Sequence, residues 1–180
     1  KEADPAGIVP TSSTIIQLSI GDALAIATME QRKFSKLDFK KFHPSGALGT
    51  KLKTAEDLMV IKNEIPFIYE YNSMKVGLKV ISKKKLGTLI VKNKKGNTVG
   101  IITDGDIKRA SNKYENIKNA IIKDVMSKKP ISIEKNTLAV EALTIMNNKQ
   151  ITGLCVHSKK NYNKTIGFLH IHNILKANIQ

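Results

Sequence analysis

Gly100-Ile101-Ile102-Thr103-Asp104-Gly105-Asp106-Ile107 returns later in the chain as Gly167-Phe168-Leu169-His170-Ile171-His172-Asn173-Ile174, at an offset of 67. Working outward, Leu86-Gly87-Thr88-Leu89-Ile90-Val91 returns as Ile151-Thr152-Gly153-Leu154-Cys155-Val156 at an offset of 65. Asp57-Leu58-Met59 returns as Asp124-Val125-Met126, again at 67. Two small length changes that cancel mark an internal duplication. Each copy reads as helix turn, short strand, amphipathic helix, strand, turn, strand, helix. In the second copy Ser127-Lys128-Lys129-Pro130-Ile131-Ser132-Ile133 is the first strand, and Leu138 to Met146 has the apolar spacing of the helix. Lys94-Lys95-Gly96-Asn97 and Lys160-Asn161-Tyr162-Asn163 are hairpin turns, because Gly and Asn tolerate positive φ. One such unit is too small to close a core, so the two should pack together through their sheets. His170 and His172 alternate along a strand, which would point them to opposite faces and speaks against a metal site.

The residues before the duplication have a different character. Gly7-Ile8-Val9-Pro10 reads as a strand end, and Thr11-Ser12-Ser13-Thr14 opens a helix running through Ala27, with Met29-Glu30-Gln31 turning polar and ending it. Its hydroxyl cluster has two readings, an N-cap for orphan amides or a cradle for a phosphate; spacing alone favours the cap. Gly21 and its small neighbours suggest close packing, and Asp22 is an unusual acid on so apolar a helix. Ser35 and Asp38 form the capping box of a second short helix. That helix delivers His43, set in Lys41-Phe42-His43-Pro44-Ser45-Gly46-Ala47-Leu48-Gly49. A Pro and two Gly break regular structure there, and the bland reading is a linker with an incidental histidine.

Composition narrows the class. With 180 residues and an apolar share of 41% the chain is long enough for one large domain or two small ones. No apolar run approaches the ~20 residues of a membrane span, and no secretory signal is present. The single cysteine, Cys155, rules out an internal disulfide and suits a reducing compartment. Opening on Lys1 rather than Met reads as a fragment. The net charge of +15 raises a nucleic-acid reading. The lysines, however, sit in turn-like places with few interleaved aromatics, and the abundance of Lys, Asn and Ile throughout reads as a coding bias. A solvated basic surface is the better account.

Lys1-Glu2-Ala3-Asp4-Pro5, Pro10-Thr11-Ser12-Ser13-Thr14, Gly21-Asp22-Ala23-Leu24-Ala25 and His43-Pro44-Ser45-Gly46-Ala47-Leu48-Gly49, in that order, resemble the end of the sugar isomerase (SIS) domain of arabinose 5-phosphate isomerases. The duplicated part resembles the paired cystathionine-β-synthase-type (CBS) modules that follow it in that family. The resemblance covers essentially the whole chain. It implies an α/β fold: a helical C-terminal remnant of a Rossmann-like SIS domain over residues 1–52, then CBS modules at 53–113 and 121–180. It implies interconversion of D-arabinose 5-phosphate and D-ribulose 5-phosphate, with no cofactor. Such an isomerisation needs a base beside the carbonyl, donors for the enediolate and a group that helps open the ring.

By that resemblance Glu2 and His43 match the family's catalytic residues here, with Thr11, Ser12 and Ser13 bordering the sugar phosphate. The first glycine usual after the His-Pro is replaced by Ser45. The family's other catalytic residues and most of its phosphate loops precede Lys1, so the chain alone is expected to be inactive. The CBS resemblance implies an adenosine-type nucleotide in the cleft between repeats, with Thr103 and Asp106 at its ribose and Tyr71 and Asp124 as further candidates. As structure alone, Asp106 reads as a helix cap. The second repeat has His170 and Asn173 at the matching places. The family's setting implies a cytoplasmic homotetramer whose product feeds lipopolysaccharide or capsule synthesis, with neither nucleic acid nor membrane as partner. The rival readings are a stand-alone CBS-pair regulatory module and a basic nucleic-acid-binding protein.

Overall fold

The computed structural model describes residues 1–179, and the chain divides into two compact units, Lys1–Pro44 and Ser45–Gln180. The first holds α1 (Ser12–Gln31) and α2 (Lys36–Phe42). No strand forms at Gly7 to Pro10. The Asp4 carboxylate instead accepts the backbone N–H groups of Ala6 and Val9, curling the segment into a turn with Gly7 at φ 69°. α1 runs past the expected end near Ala27, since Met29, Glu30 and Gln31 are good helix formers whatever their polarity. The box at α2 forms as its sequence predicts, with the Ser35 hydroxyl accepting the Asp38 N–H and the Asp38 carboxylate accepting the Ser35 N–H.

α1 buries none of its residues. Ile15, Ile16, Leu18, Ile20, Leu24 and Ile26 are all more than half exposed, and a Cβ on Gly21 would meet no neighbouring element within 4 Å. By length and mean hydropathy (1.2) this one helix is apolar enough to cross a membrane, an extent that Gln17, Ser19 and Asp22 disguise in the sequence. A helix apolar all round is one that other elements cover in a larger core or a bilayer.

The second unit begins with α3 (Gly46–Lys51) and α4 (Ala55–Leu58). The first repeat then gives β1 (Val60–Ile61), β2 (Phe67–Tyr69), α5 (Met74–Lys84), β3 (Thr88–Lys92), β4 (Thr98–Thr103) and α6 (Asp104–Lys113). The second gives α7 (Ile122–Val125), β5 (Ser127–Lys128), β6 (Ser132–Glu134), α8 (Ala139–Lys149), β7 (Gly153–Ser158), β8 (Asn161–His170) and α9 (Ile171–Lys176).

The expected single strand over 127–133 is two strands, because Lys129 takes a left-handed φ of 55° and Pro130 has no N–H to give a ladder. The split lets the repeats exchange strands. One sheet has the order β2-β3-β4-β5 and the other β1-β8-β7-β6, so each module's first strand completes the other module's sheet. The exchange demands close approach. A Cβ on Gly100 would lie 2.5 Å from Met126 Sδ and 2.9 Å from the Ser127 carbonyl oxygen, and one on Gly167 would collide with Met59.

Backbone bonds repeat the clasp. Ala55 and Ala139 N–H reach Thr137 and Lys53 carbonyls at 2.8 Å, while Met74 and Ile122 N–H reach Ala120 and Asn72 at 2.8 and 2.9 Å. The second hairpin turns at Lys159-Lys160, earlier than its Asn residues suggest, and Asn161 to Asn163 belong to β8.

Each sheet carries its own apolar core, and each core borrows from the other repeat: Ile122 and Val125, with Ala120 just before them, join the first, Ala55 the second. Between the sheets Ile65, Ile90, Cys155 and Phe168 form a third cluster, all 5% exposed or less. Each large side chain so buried contributes about 1.5–3 kcal/mol. Thr98 and Thr165, equivalent positions in the two repeats, share a 2.8 Å hydrogen bond across the junction.

Candidate functional site

The junction opens on one side into a cleft of about 430 Å³. Thr103 and Gly105 from the β4–α6 turn, Ser127 to Ile131 from the exchanged strand and the segment after it, and Gln150 to Gly153 up to the start of β7 line it, with apolar Ile101, Pro130, Ile131 and Ile151 between the polar groups. Apolar walls with a few convergent polar groups are what a small organic ligand needs. A larger depression of about 620 Å³ on α5 has only Leu78 as an apolar floor beneath Lys75, Lys79, Lys83 and Lys118, a solvated basic face.

At the base of α6, Asp106 is 4% exposed. Its Oδ2 accepts the Thr103 N–H at 2.8 Å and the Thr103 hydroxyl at 2.7 Å, and its Oδ1 accepts the Ser127 hydroxyl at 2.7 Å and Arg109 Nη2 at 2.5 Å. Burial pushes this carboxyl up, but the hydrogen bonds from Ser127, Thr103 and Arg109 outweigh burial and hold it below the usual carboxylate range. Four bonds engage all the lone pairs a carboxylate offers, so a ribose hydroxyl would have to displace one of them. Asp106 therefore caps α6 and also ties it to Ser127 of the exchanged strand. Ser127 and Arg109 escaped the sequence reading, since a tie across 21 residues has no local signature.

The matching turn of the second repeat is built differently. His170 ends β8 and its Nδ1 accepts the His172 N–H at 3.2 Å, capping α9. Burial and the neighbouring His172 lower the His170 pKa. The two rings lie 5.0 Å apart rather than on opposite faces, because the chain leaves the strand at His170 and turns into α9. On that side, where Val60 and Leu86 stand in for Ser127 and Ile151, there is a smaller hollow of about 310 Å³, and Lys84 Nζ closes on the Asn63 carbonyl beside it. Tyr71 is exposed and stacked on Tyr69 at 5.3 Å. Asp124 is exposed at the start of α7. Neither is among the residues lining the larger cleft.

In the first unit Glu2 Oε2 accepts the Thr11 N–H at 2.6 Å, the Thr11 hydroxyl at 2.9 Å and the Ser13 N–H at 3.3 Å. Hydrogen bonds from Ser13 and Thr11 draw its carboxyl down to about 2. Glu2 thus serves the N-terminus of α1, where a negative charge also meets the positive end of the helix dipole; Ser12 begins that helix. His43 closes α2, its ring stacked on Phe39 at 4.2 Å and its Nδ1 3.2 Å from the Phe39 carbonyl oxygen. A carbonyl only accepts, so Nδ1 carries the hydrogen and Nε2 of the neutral ring is an acceptor with no partner among the described residues. The structure gathers Glu2, Thr11 and Ser13 into one cluster, while the ring of His43 is held by Phe39.

Two interlocked α/β modules that exchange their first strands around a cleft define a paired module. The chain belongs to the CBS domain family, whose profile matches residues 55–113 and 122–179. Across its whole length it is similar to the arabinose 5-phosphate isomerase KdsD of Yersinia pestis, at 38% identity over 180 residues, covering 99% of the chain and 54% of that protein. The KdsD of Escherichia coli K12 is 37% identical with the same coverage. An uncharacterized protein of Rickettsia prowazekii, RP505, is 37% identical over 170 residues, covering 94% of the chain and 52% of that protein.

The resemblance to arabinose 5-phosphate isomerases is thereby borne out, and the chain spans about half the length of the curated relatives it matches. Among solved structures, CBSX2 in complex with AMP aligns with TM-score 0.60 at 21% identity, covering 69% of this chain and 95% of that one. The CBS pair of MJ0100, in complex with 5′-methylthioadenosine and S-adenosyl-L-methionine, aligns with TM-score 0.60 at 21% identity, covering 69% and 94%. At such identities the likeness carries the fold.

Proposed function

We propose that the chain is the C-terminal part of an aldose–ketose isomerase interconverting D-arabinose 5-phosphate and D-ribulose 5-phosphate, inactive when alone. Residues 1–52 are then the end of its sugar isomerase domain, and 53–113 and 121–180 its CBS modules. The similarity to KdsD proteins along 99% of the chain carries this reading. The uncovered apolar surface of α1 supports it, since that helix needs further elements around it.

Within the segment present, His43 is better suited than Glu2 to move a proton. Its Nε2 is an acceptor with no partner among the described residues, whereas a carboxylate with a pKa of about 2 is a weak base. Thr11, Ser12 and Ser13 border the sugar phosphate in this reading, and Glu2 holds their loop. The reaction passes through an enediolate and returns each electron pair to the sugar, so it calls for no redox cofactor. The enzyme would work in the cytoplasm as a homotetramer.

The test joins the chain in frame to the gene segment that precedes Lys1. The joined protein should form ribulose 5-phosphate from arabinose 5-phosphate, and the chain alone should not. Turnover by the chain alone overturns the proposed inactivity, and no turnover by the joined protein overturns the isomerase reading.

A second reading, a CBS pair that works as a stand-alone regulatory module, is favoured by the 430 Å³ cleft and its Thr103–Asp106 turn. Here an adenosine-type nucleotide occupies the cleft, its ribose taking the place of one partner of Asp106. AMP and S-adenosyl-L-methionine should then each be tried for a concentration-dependent rise in melting temperature. No shift with either overturns nucleotide binding.

A further inference from the structure

The two repeats differ at one pair of facing positions in a way that opens a second pocket, apart from the nucleotide cleft. In the first repeat Phe67 pairs with Ile90 on β2–β3, and Lys92 follows two residues later. In the second, Ser132 pairs with Cys155 on β6–β7, and His157 follows two residues later. Lys92 and His157 occupy equivalent ladder positions, opposite Thr98 and Thr165. In the first repeat the space is filled, with Lys92 Nζ 3.1 Å from the centre of the Phe67 ring. In the second, Ser132 in place of the phenyl ring leaves a cavity of about 200 Å³, room for about six or seven waters at ~30 Å³ each.

Its walls mix polar groups, from Ser132, His157, Tyr162, Asn163 and Lys129, with apolar surface that includes Pro130 and Cys155. His157 is 5% exposed. Its Nδ1 lies 3.2 Å from the Ser158 carbonyl oxygen, which can only accept, so Nδ1 carries the hydrogen. Nε2 of the neutral ring is then an acceptor, and it has no protein partner among the described residues. No buried side-chain nitrogen or oxygen in the described structure is sealed off without a partner, so Nε2 keeps its access through the cavity. Tyr162 covers the ring at 4.7 Å. Lys129 makes no ion pair among the described residues.

We propose that this cavity binds a small hydroxylated anion, with a ligand hydroxyl donating to His157 Nε2 and the anionic group meeting Lys129. A buried acceptor and an ammonium without an ion pair, lining one cavity, suit a molecule carrying both groups, such as a phosphorylated or carboxylated polyol. The site does not rest on the isomerase or nucleotide readings, although it borders the cleft through Lys129 and Pro130, while His157, Ser132 and Tyr162 line this cavity and not the cleft.

The test follows the His157 imidazole nitrogens and the Tyr162 ring by NMR while the chain is titrated with glycerol 3-phosphate or glycerate, and with glycerol or inorganic phosphate as half-ligands. Saturable shifts at His157 and Tyr162 with either hydroxylated anion are expected, the stronger of the two naming the anionic group. Lys129→Met should weaken binding about tenfold, the loss expected for one hydrogen bond to a charged group, without changing the melting temperature. The double variant Ser132→Phe/His157→Lys, which rebuilds the filled arrangement of the first repeat, should remain folded and abolish the shifts at Tyr162. Absence of saturable shifts with both anions at tens of millimolar overturns the proposal. So does equal binding of glycerol, of inorganic phosphate, or of either anion by the Lys129→Met protein.

Discussion

The β4–α6 turn and the β8–α9 turn stand at the same place in the two repeats, yet they are held by opposite chemistry. At the first, a carboxylate collects four hydrogen bonds and reaches the exchanged strand through Ser127. At the second, a neutral imidazole caps its own helix through one bond and reaches no further. The same backbone can therefore present one pinned junction and one loosely held junction. Duplication supplies the symmetric scaffold, and a few unmatched side chains decide which side of the junction can hold what.

The comparison assumes that neither repeat exists without the other, and separating them would produce the largest effect. Produced apart, residues 53–118 lose Ala120, Ile122 and Val125 from the first core, and residues 119–180 lose Ala55, with Leu58 and Met59 packed beside it, from the second. Each also loses a strand from its sheet. With about 1.5–3 kcal/mol per large buried side chain set against a typical total of about 5–15 kcal/mol, neither half should melt cooperatively. Mixing the halves should restore a cooperative transition. A sharp thermal transition from either half alone would show that the exchange is ornamental.

Next in size is the contrast between the turns themselves. Asp106→Ala removes the cap of α6 together with its ties to Ser127 and Arg109, and should cost about 1.5–3 kcal/mol, the range for hydrogen bonds to a charged group. His170→Ala removes one local cap and should cost about 1 kcal/mol. Urea unfolding of the two variants compares them directly. Equal losses would mean that Ser127 contributes nothing and that Asp106 is only a cap.

Much of this was legible in the residues. The offsets linking Gly100 to Gly167 and Met59 to Met126 announce the duplication, and the structure adds why they recur: each Met packs on the other repeat's Gly. The strand exchange was not legible, because two-residue strands such as Val60–Ile61 and Ser127–Lys128 carry no pattern that names a partner. The role of Glu2 at the start of α1 was hidden for a similar reason, since its bonds span 9 and 11 residues. The His157 cavity left a signal that went unread. Placing the repeats in register sets Ser132 against Phe67, and a large side chain answered by a small one leaves space.

The smallest predicted effect separates the two turns by pH. His170 Nδ1 must be unprotonated to accept the His172 N–H, and its pKa is lowered by burial and by His172. Its cap is therefore fully present above about pH 6.5, the ordinary histidine value, and is lost as pH falls through the lower folded value. Asp106 is also depressed, so its contribution is full above the ordinary carboxylate value of 3.8 and is lost only below it. Between those limits acid should release α9 while leaving α6 capped. Amide hydrogen exchange reads this residue by residue. On acidification from pH 7 to about 5, protection at His172 should fall relative to the His170→Ala protein, whose His172 has no cap to lose. Protection at Thr103 should follow only the intrinsic pH dependence of exchange. If both amides lost protection together, the two turns would be coupled through the junction, and the loosely held side would not be independent of the pinned one.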